Sequence, residues 1–119
     1  MVIFNTHQKI DALRKIMPGG LIFVLDTTDR SFVYKSMESP NCEQLVFSVD
    51  KIYGVDNLTR ETDFHSHEDE SASIKFQKIG GNTYLGVCAP KEAYSEYQLK
   101  SVDDYFRFHS NPSEINQEN

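Results

Sequence analysis

Five consecutive apolar residues, Leu21-Ile22-Phe23-Val24-Leu25, stand between the breaker Pro18-Gly19-Gly20 and the turn-forming Asp26-Thr27-Thr28-Asp29-Arg30. A run this short and this apolar, closed off at both ends, predicts a strand covered on both faces. Such a strand needs a sheet around it and a layer on each side. The next run, Ser31-Phe32-Val33-Tyr34-Lys35, is rich in β-forming residues, so the two pair as an antiparallel hairpin. A second hairpin is predicted downstream. Ile74-Lys75-Phe76-Gln77-Lys78-Ile79 alternates apolar and polar, as a half-buried strand does. Gly80-Gly81-Asn82 turns the chain, and Thr83 to Ala89 returns before Pro90.

Three segments carry helical spacing. Thr6 can cap a helix in which Ile10, Leu13 and Met17 share a face. Ser39-Pro40 is a helix start, with Cys42, Leu45, Val46, Val49, Ile52 and Tyr53 on one side and Phe47 beside that stripe. This helix ends at Gly54 or runs on to Leu58. The last helix spans Lys91 to His109, with Tyr94, Tyr97, Leu99, Val102, Tyr105 and Phe106 as a broad apolar-aromatic side. The polar stretch 61–73 reads as a loop. The order is therefore α-β-β-α-β-β-α: an α+β domain, antiparallel sheet with flanking helices, over residues 1–109, with 110–119 as a flexible tail.

Composition narrows the function. The chain has 119 residues, the size of one domain, and apolar residues at 39% suffice for a core. A net charge of −6 and scattered lysines and arginines argue against nucleic acid and against an anionic membrane surface. No window is long and apolar enough to insert in a bilayer, and the first residues lack the basic start of a signal peptide. Two cysteines, Cys42 and Cys88, are too few for a disulfide scaffold and fit reduced thiols in the cytoplasm.

Common catalytic patterns are missing from the sequence. There is no Gly-x-Ser-x-Gly elbow, no phosphate loop after Gly80-Gly81, and no dinucleotide fingerprint opening a helix. His65 and His67 alternate, so on an extended segment they point the same way and are the candidate metal ligands. A zinc isopeptidase needs a Ser-x-x-Asp after its His-x-His. Ser71 and Ser73 are followed, three residues on, by Ile74 and Phe76, so that pattern lacks a ligand. The expectation is a chain with no enzyme activity and no cofactor.

The order of elements resembles the roadblock / dynein-light-chain superfamily, a profilin-like fold. A first helix ends in a small turn at Leu13 to Gly20. An apolar strand ends in Asp26, a return strand follows, and a middle helix starts at Pro40. A strand pair surrounds Gly80-Gly81 with Tyr84-Leu85-Gly86-Val87, and a helix closes the chain. Two departures stand out: Asp26 to Arg30 lacks the family's Asp-x-x-Gly, and a further strand could come only from Phe64 to Ser71. Profilin itself is excluded, because its polyproline site needs tryptophan and this chain has none. The resemblance implies a non-enzymatic scaffold that works as a homo- or heterodimer, or in small-GTPase or motor complexes. It implies pairing through the middle helix and an edge strand. Phe47 and Tyr53 on that helix, and Ile74 and Phe76 on the strand Ile74 to Ile79, would take those roles. Two other classes fit less of the chain: a PAS-type sensor holding a small molecule between sheet and helices, and a small metal-dependent enzyme using His65 and His67.

Overall fold

The computed structural model describes residues 2–53, 64–68, 70–80 and 82–108. Helix α1 spans Val2–Ile16, strand β1 Leu21–Asp26, β2 Ser31–Lys35, helix α2 Pro40–Tyr53, β3 Phe64–Glu68, β4 Ala72–Gly80 and β5 Thr83–Pro90. A 3₁₀ turn at Lys91–Ala93 then leads to helix α3, Glu96–Phe108. The five strands form one sheet in the order β2-β1-β5-β4-β3, every neighbour antiparallel.

The α+β reading of an antiparallel sheet with flanking helices holds, with one strand more than the sequence order supplied. Stretch 61–73 is not simply a loop: its Phe64–Glu68 portion is β3, which supplies the further strand that the resemblance lacked. Residues 61–63 and the end of the middle helix at Gly54 lie outside the described residues, as does the tail 109–119. The last helix begins at Glu96 rather than Lys91. Ser95 and Gln98 fix that start as a capping box. The Ser95 N–H donates to Gln98 Oε1 (2.8 Å), and the Gln98 N–H donates to Ser95 Oγ (3.2 Å).

β1 and β5 sit at the centre and are covered twice, as the apolar run Leu21 to Leu25 demands. Leu21, Phe23 and Leu25 face α2 and pack with Cys42, Val46, Ile74, Phe76 and Tyr84. Ile22 and Val24 face α1 and α3 and pack with Ile10, Leu13, Met17, Leu85, Val102 and Phe106. Across the sheet the Phe23 ring lies over Gly86, which pairs with Phe23 on one side and Phe76 on the other.

β4 departs from the half-buried pattern. Its polar side is also covered: Ser73, Lys75 and Gln77 are buried beneath α1 and α3. Lys75 Nζ reaches Asp103 of α3 at 2.7 Å and donates to Ser66 Oγ of β3 at 2.9 Å. Lys9 of α1 donates to Gln77 Oε1 at 2.9 Å. Burial lowers the Lys9 pKa from its usual value. The helices on this face are thus docked by polar groups toward β3 and by apolar ones toward β1.

The two hairpin turns lock together. Asn82 O accepts from the Thr27 N–H (2.9 Å) and from Thr27 Oγ1 (3.0 Å), and Asn82 Nδ2 donates to Thr28 Oγ1 (2.7 Å). At the end of this turn Arg30 takes the left-handed conformation with φ 54°. A side chain there costs about 1 kcal/mol. Arg30→Gly is therefore expected to raise the urea midpoint by an amount equivalent to about 0.5–1 kcal/mol; an unchanged or lower midpoint would contradict that account of the turn.

α2 starts as predicted at Ser39-Pro40. The Ser39 N–H donates to Glu43 Oε2 at 3.0 Å, and Lys35 lies 3.2 Å from Glu43 Oε1. The backbone hydrogen bond from Ser39 holds the Glu43 carboxyl below its usual range, with Lys35 adding to it against opposing desolvation. A carboxylate lowered on folding contributes stability that is complete above its unfolded pKa and fades as pH falls through the folded value. Acid titration of Glu43→Gln should accordingly show a shallower stability loss on the acid side than the unaltered chain, read by urea midpoints in a pH series.

Candidate interaction edge

Among the described residues the outer strands of the sheet are β2 and β3, and they differ in geometry.

β2 is irregular. Val24 pairs with Tyr34 and Leu25 with Phe32, so Val33 is an extra residue, a β-bulge. The bulge lets Phe32 face α2 while Tyr34 packs on the α1 side. It also turns Val33 outward, 66% exposed. A bulged edge is twisted away from regular pairing.

β3 is regular. Phe64, His65, Ser66, His67 and Glu68 oppose Gln77, Phe76, Lys75, Ile74 and Ser73 in unbroken register. The strand is held from both faces. On the α2 side the His65 ring stacks on Phe76 with centroids 5.2 Å apart. On the α3 side Ser66 meets Lys75, and at the strand's end Glu68 reaches Lys91 at 3.0 Å. Little in the sequence Phe-His-Ser-His-Glu favours a strand by propensity, so the pairing with β4 must supply it.

The residues singled out from sequence fall as follows. Ile74 and Phe76 do not lie on an edge: β4 is flanked by β5 and β3, and both side chains are buried against α2, at 1% and 3% exposure. That placement corrects the assignment of the edge to Ile74–Ile79, which rested on a four-stranded sheet. The two residues instead support β3 from beneath. Phe47 is partly buried and packs on Phe32 at 5.1 Å, on the β2 side of the molecule rather than the β3 side. The Tyr53 side chain lies outside the described residues. His65 and His67 share one face of β3, as their alternation predicted. Among the described residues no group of three or more His, Cys, Asp or Glu side chains is placed to hold a metal ion.

Other chemistry-bearing groups are spent inside. Cys42 and Cys88 are both buried free thiols, and Cys42 Sγ donates to the Cys88 carbonyl at 3.6 Å. The Cys88 thiol beside it, helped by the Ser39 hydroxyl, draws the Cys42 thiol down to about 6 against the opposing effect of burial. With Cys42 at 1% exposure, no reagent or substrate reaches it in the folded chain. A groove of about 680 Å³ opens between α1 and the β1–β2 side of the sheet, floored by Ile10, Val24, Tyr34 and Ile79, with His7 and Arg14 also lining it. No helix among the described residues is long and apolar enough to cross a membrane.

No family model matches the chain. No curated protein matches it either. Among solved structures, Myxococcus xanthus MglB is similar over 83% of this chain and 82% of its own, at 15% identity and a TM-score of 0.46.

Proposed function

We propose that this chain is a non-enzymatic protein-binding module that assembles by strand addition at β3, pairing first with a second copy of itself and through the joined sheet serving as a scaffold. The observation that carries this reading is the contrast between the two edges: β2 is bulged at Val33, while β3 keeps five residues in regular register. An extended partner segment laid against such an edge gains main-chain hydrogen bonds without needing a deep pocket. The roadblock resemblance suggests roles in small-GTPase or motor complexes, the two free thiols suggest a cytoplasmic location, and together they define where a heteromeric partner is to be sought.

Solution mass by light scattering over a concentration series tests the reading. Successive backbone N–H groups of a strand point to opposite sides, so of Ser66 and His67 one directs its N–H outward. Ser66→Pro and His67→Pro therefore bracket the outward donor. A dimer that one of these variants converts to a folded monomer supports strand addition; a monomer at every concentration removes self-pairing.

The groove beneath α1 favours a second reading, a sensory domain for a small apolar ligand. A rise in melting temperature with such a ligand, absent in Val24→Gln, would favour it over the scaffold.

A further inference from the structure

Helix α1 lays Ile10, Asp11 and Arg14 along the groove of about 680 Å³ that it forms with the β1–β2 side of the sheet. The floor of this groove is apolar. Ile10 and Val24 are buried, and Tyr34 and Ile79 are partly buried beside them. Asp11 and Arg14 are exposed, and both also line an adjoining cavity of about 450 Å³ with Lys15, Ser36 and Met37. They therefore stand where the two cavities meet. Residues three apart on a helix are neighbours, close enough for opposite charges to pair. No such pair forms. Among the described residues neither the Asp11 carboxylate nor the Arg14 guanidinium takes part in a hydrogen bond or an ion pair.

An apolar slot with an unpaired anion and an unpaired cation at its mouth selects among ligands by charge. A hydrocarbon leaves both charges unanswered. An apolar carboxylate or an apolar amine answers one and sets a like charge near the other. A zwitterion answers both. We infer that the groove binds an α-amino acid with an apolar aromatic side chain, its carboxylate on Arg14, its ammonium on Asp11 and its ring over Ile10, Val24 and Tyr34. This ligand class rests on the small-ligand reading of the groove.

The chemistry at each contact is specific. The guanidinium presents a planar fork that meets a carboxylate with two parallel N–H bonds. The Asp11 carboxylate accepts from an ammonium, which has donors to spare. Tyr34 offers an aromatic face for a ring to pack on, and the groove has the size of a small-molecule site. Lys15 adds a second positive charge near the mouth, which favours the carboxylate end. Because Asp11 and Arg14 are exposed, each head contact is a surface ion pair, worth roughly fivefold in affinity. Selectivity comes from making both at once.

Calorimetric titration of the full chain compares L-phenylalanine with three analogues: phenethylamine, which lacks the carboxylate, 3-phenylpropanoate, which lacks the ammonium, and 2-phenylethanol, which lacks both. Expected is one-to-one binding of phenylalanine, with each singly charged analogue weaker by roughly fivefold and the alcohol weaker still. Arg14→Gln should bring phenylalanine to the level of phenethylamine, and Asp11→Asn to that of 3-phenylpropanoate. The melting temperatures of both unliganded variants should match that of the unaltered chain, since neither side chain holds a partner. An alcohol that binds as tightly as phenylalanine overturns the zwitterion and leaves the groove a small-ligand site. Phenylalanine binding that ignores both substitutions overturns the assignment of Asp11 and Arg14. No binding by any of the four overturns the amino-acid site and the small-ligand reading together.

Discussion

Asp103→Ala is expected to lower the unfolding free energy by about 3 kcal/mol, because it removes the carboxylate that faces the enclosed Lys75 ammonium. Lys75 Nζ lies 2.7 Å from Asp103 Oδ1, and the side chains are 7% and 29% exposed. Removing one partner of a pair this enclosed costs far more than the pair itself contributes. The other end of the pair should behave differently. Lys75→Met keeps most of the side chain's volume and takes away the charge, leaving Asp103 with partial access to water. Its cost is expected to be about 1 kcal/mol or less. Urea denaturation of both variants reads the asymmetry directly; equal losses would mean that the pair is held by packing rather than by charge.

Gly86→Ala is expected to cost about 3 kcal/mol. A Cβ at this position would stand 2.4 Å from Phe23 Cζ, 2.7 Å from the Lys75 carbonyl oxygen and 2.8 Å from Phe76 Cβ. One of these neighbours is backbone of the adjacent strand and cannot step aside. The others are the Phe23 ring and the Phe76 Cβ on the α2 face of the sheet, where Phe23 also meets Phe32 at 6.0 Å and Phe76 meets Tyr84 at 5.9 Å. A methyl group therefore displaces packed side chains on two strands at once. The double variant Gly86→Ala, Phe23→Leu should recover part of the loss, since the shorter side chain vacates the space the ring occupied. Failure to recover any of it would place the strain at the Lys75 carbonyl instead.

These two sites show what the sequence made legible and what it hid. The run Leu21 to Leu25 announced a strand covered twice, and it lies at the sheet's centre between helices. Gly80 to Asn82 announced the second hairpin, and Ser39-Pro40 the start of α2. Those signals are local: a turn residue, a cap, an apolar run. β3 has no such signal. Its Phe-His-Ser-His-Glu sequence is an extended strand because β4 offers it a ladder, which is a tertiary cause. Without β3 in the count, β4 is the outer strand, which is why the sequence order puts Ile74 and Phe76 at a partner contact although they are interior.

The burial of the polar residues of β4 has a related, tertiary cause. Alternation in Ile74 to Ile79 says which side chains share a face. It does not say whether the polar face meets water. Lys75 and Gln77 are buried because α3 brings Asp103 and α1 brings Lys9 over them. The bulge at Val33 was equally invisible, since it follows from how β2 must place Phe32 and Tyr34 on opposite layers. The start of α3, by contrast, was written in the sequence as Ser95-x-x-Gln98, a capping signal that the broader aromatic pattern from Lys91 onward obscured.

Amide hydrogen exchange along β3, followed as a function of protein concentration, tests strand addition most directly. At high concentration the outward-directed amides of residues 64–68 should be protected by the added strand, and dilution should release them while β4 amides stay slow. If the outward β3 amides exchange at the rate of open loop at every concentration while β4 remains protected, β3 is a solvated edge and the central claim fails.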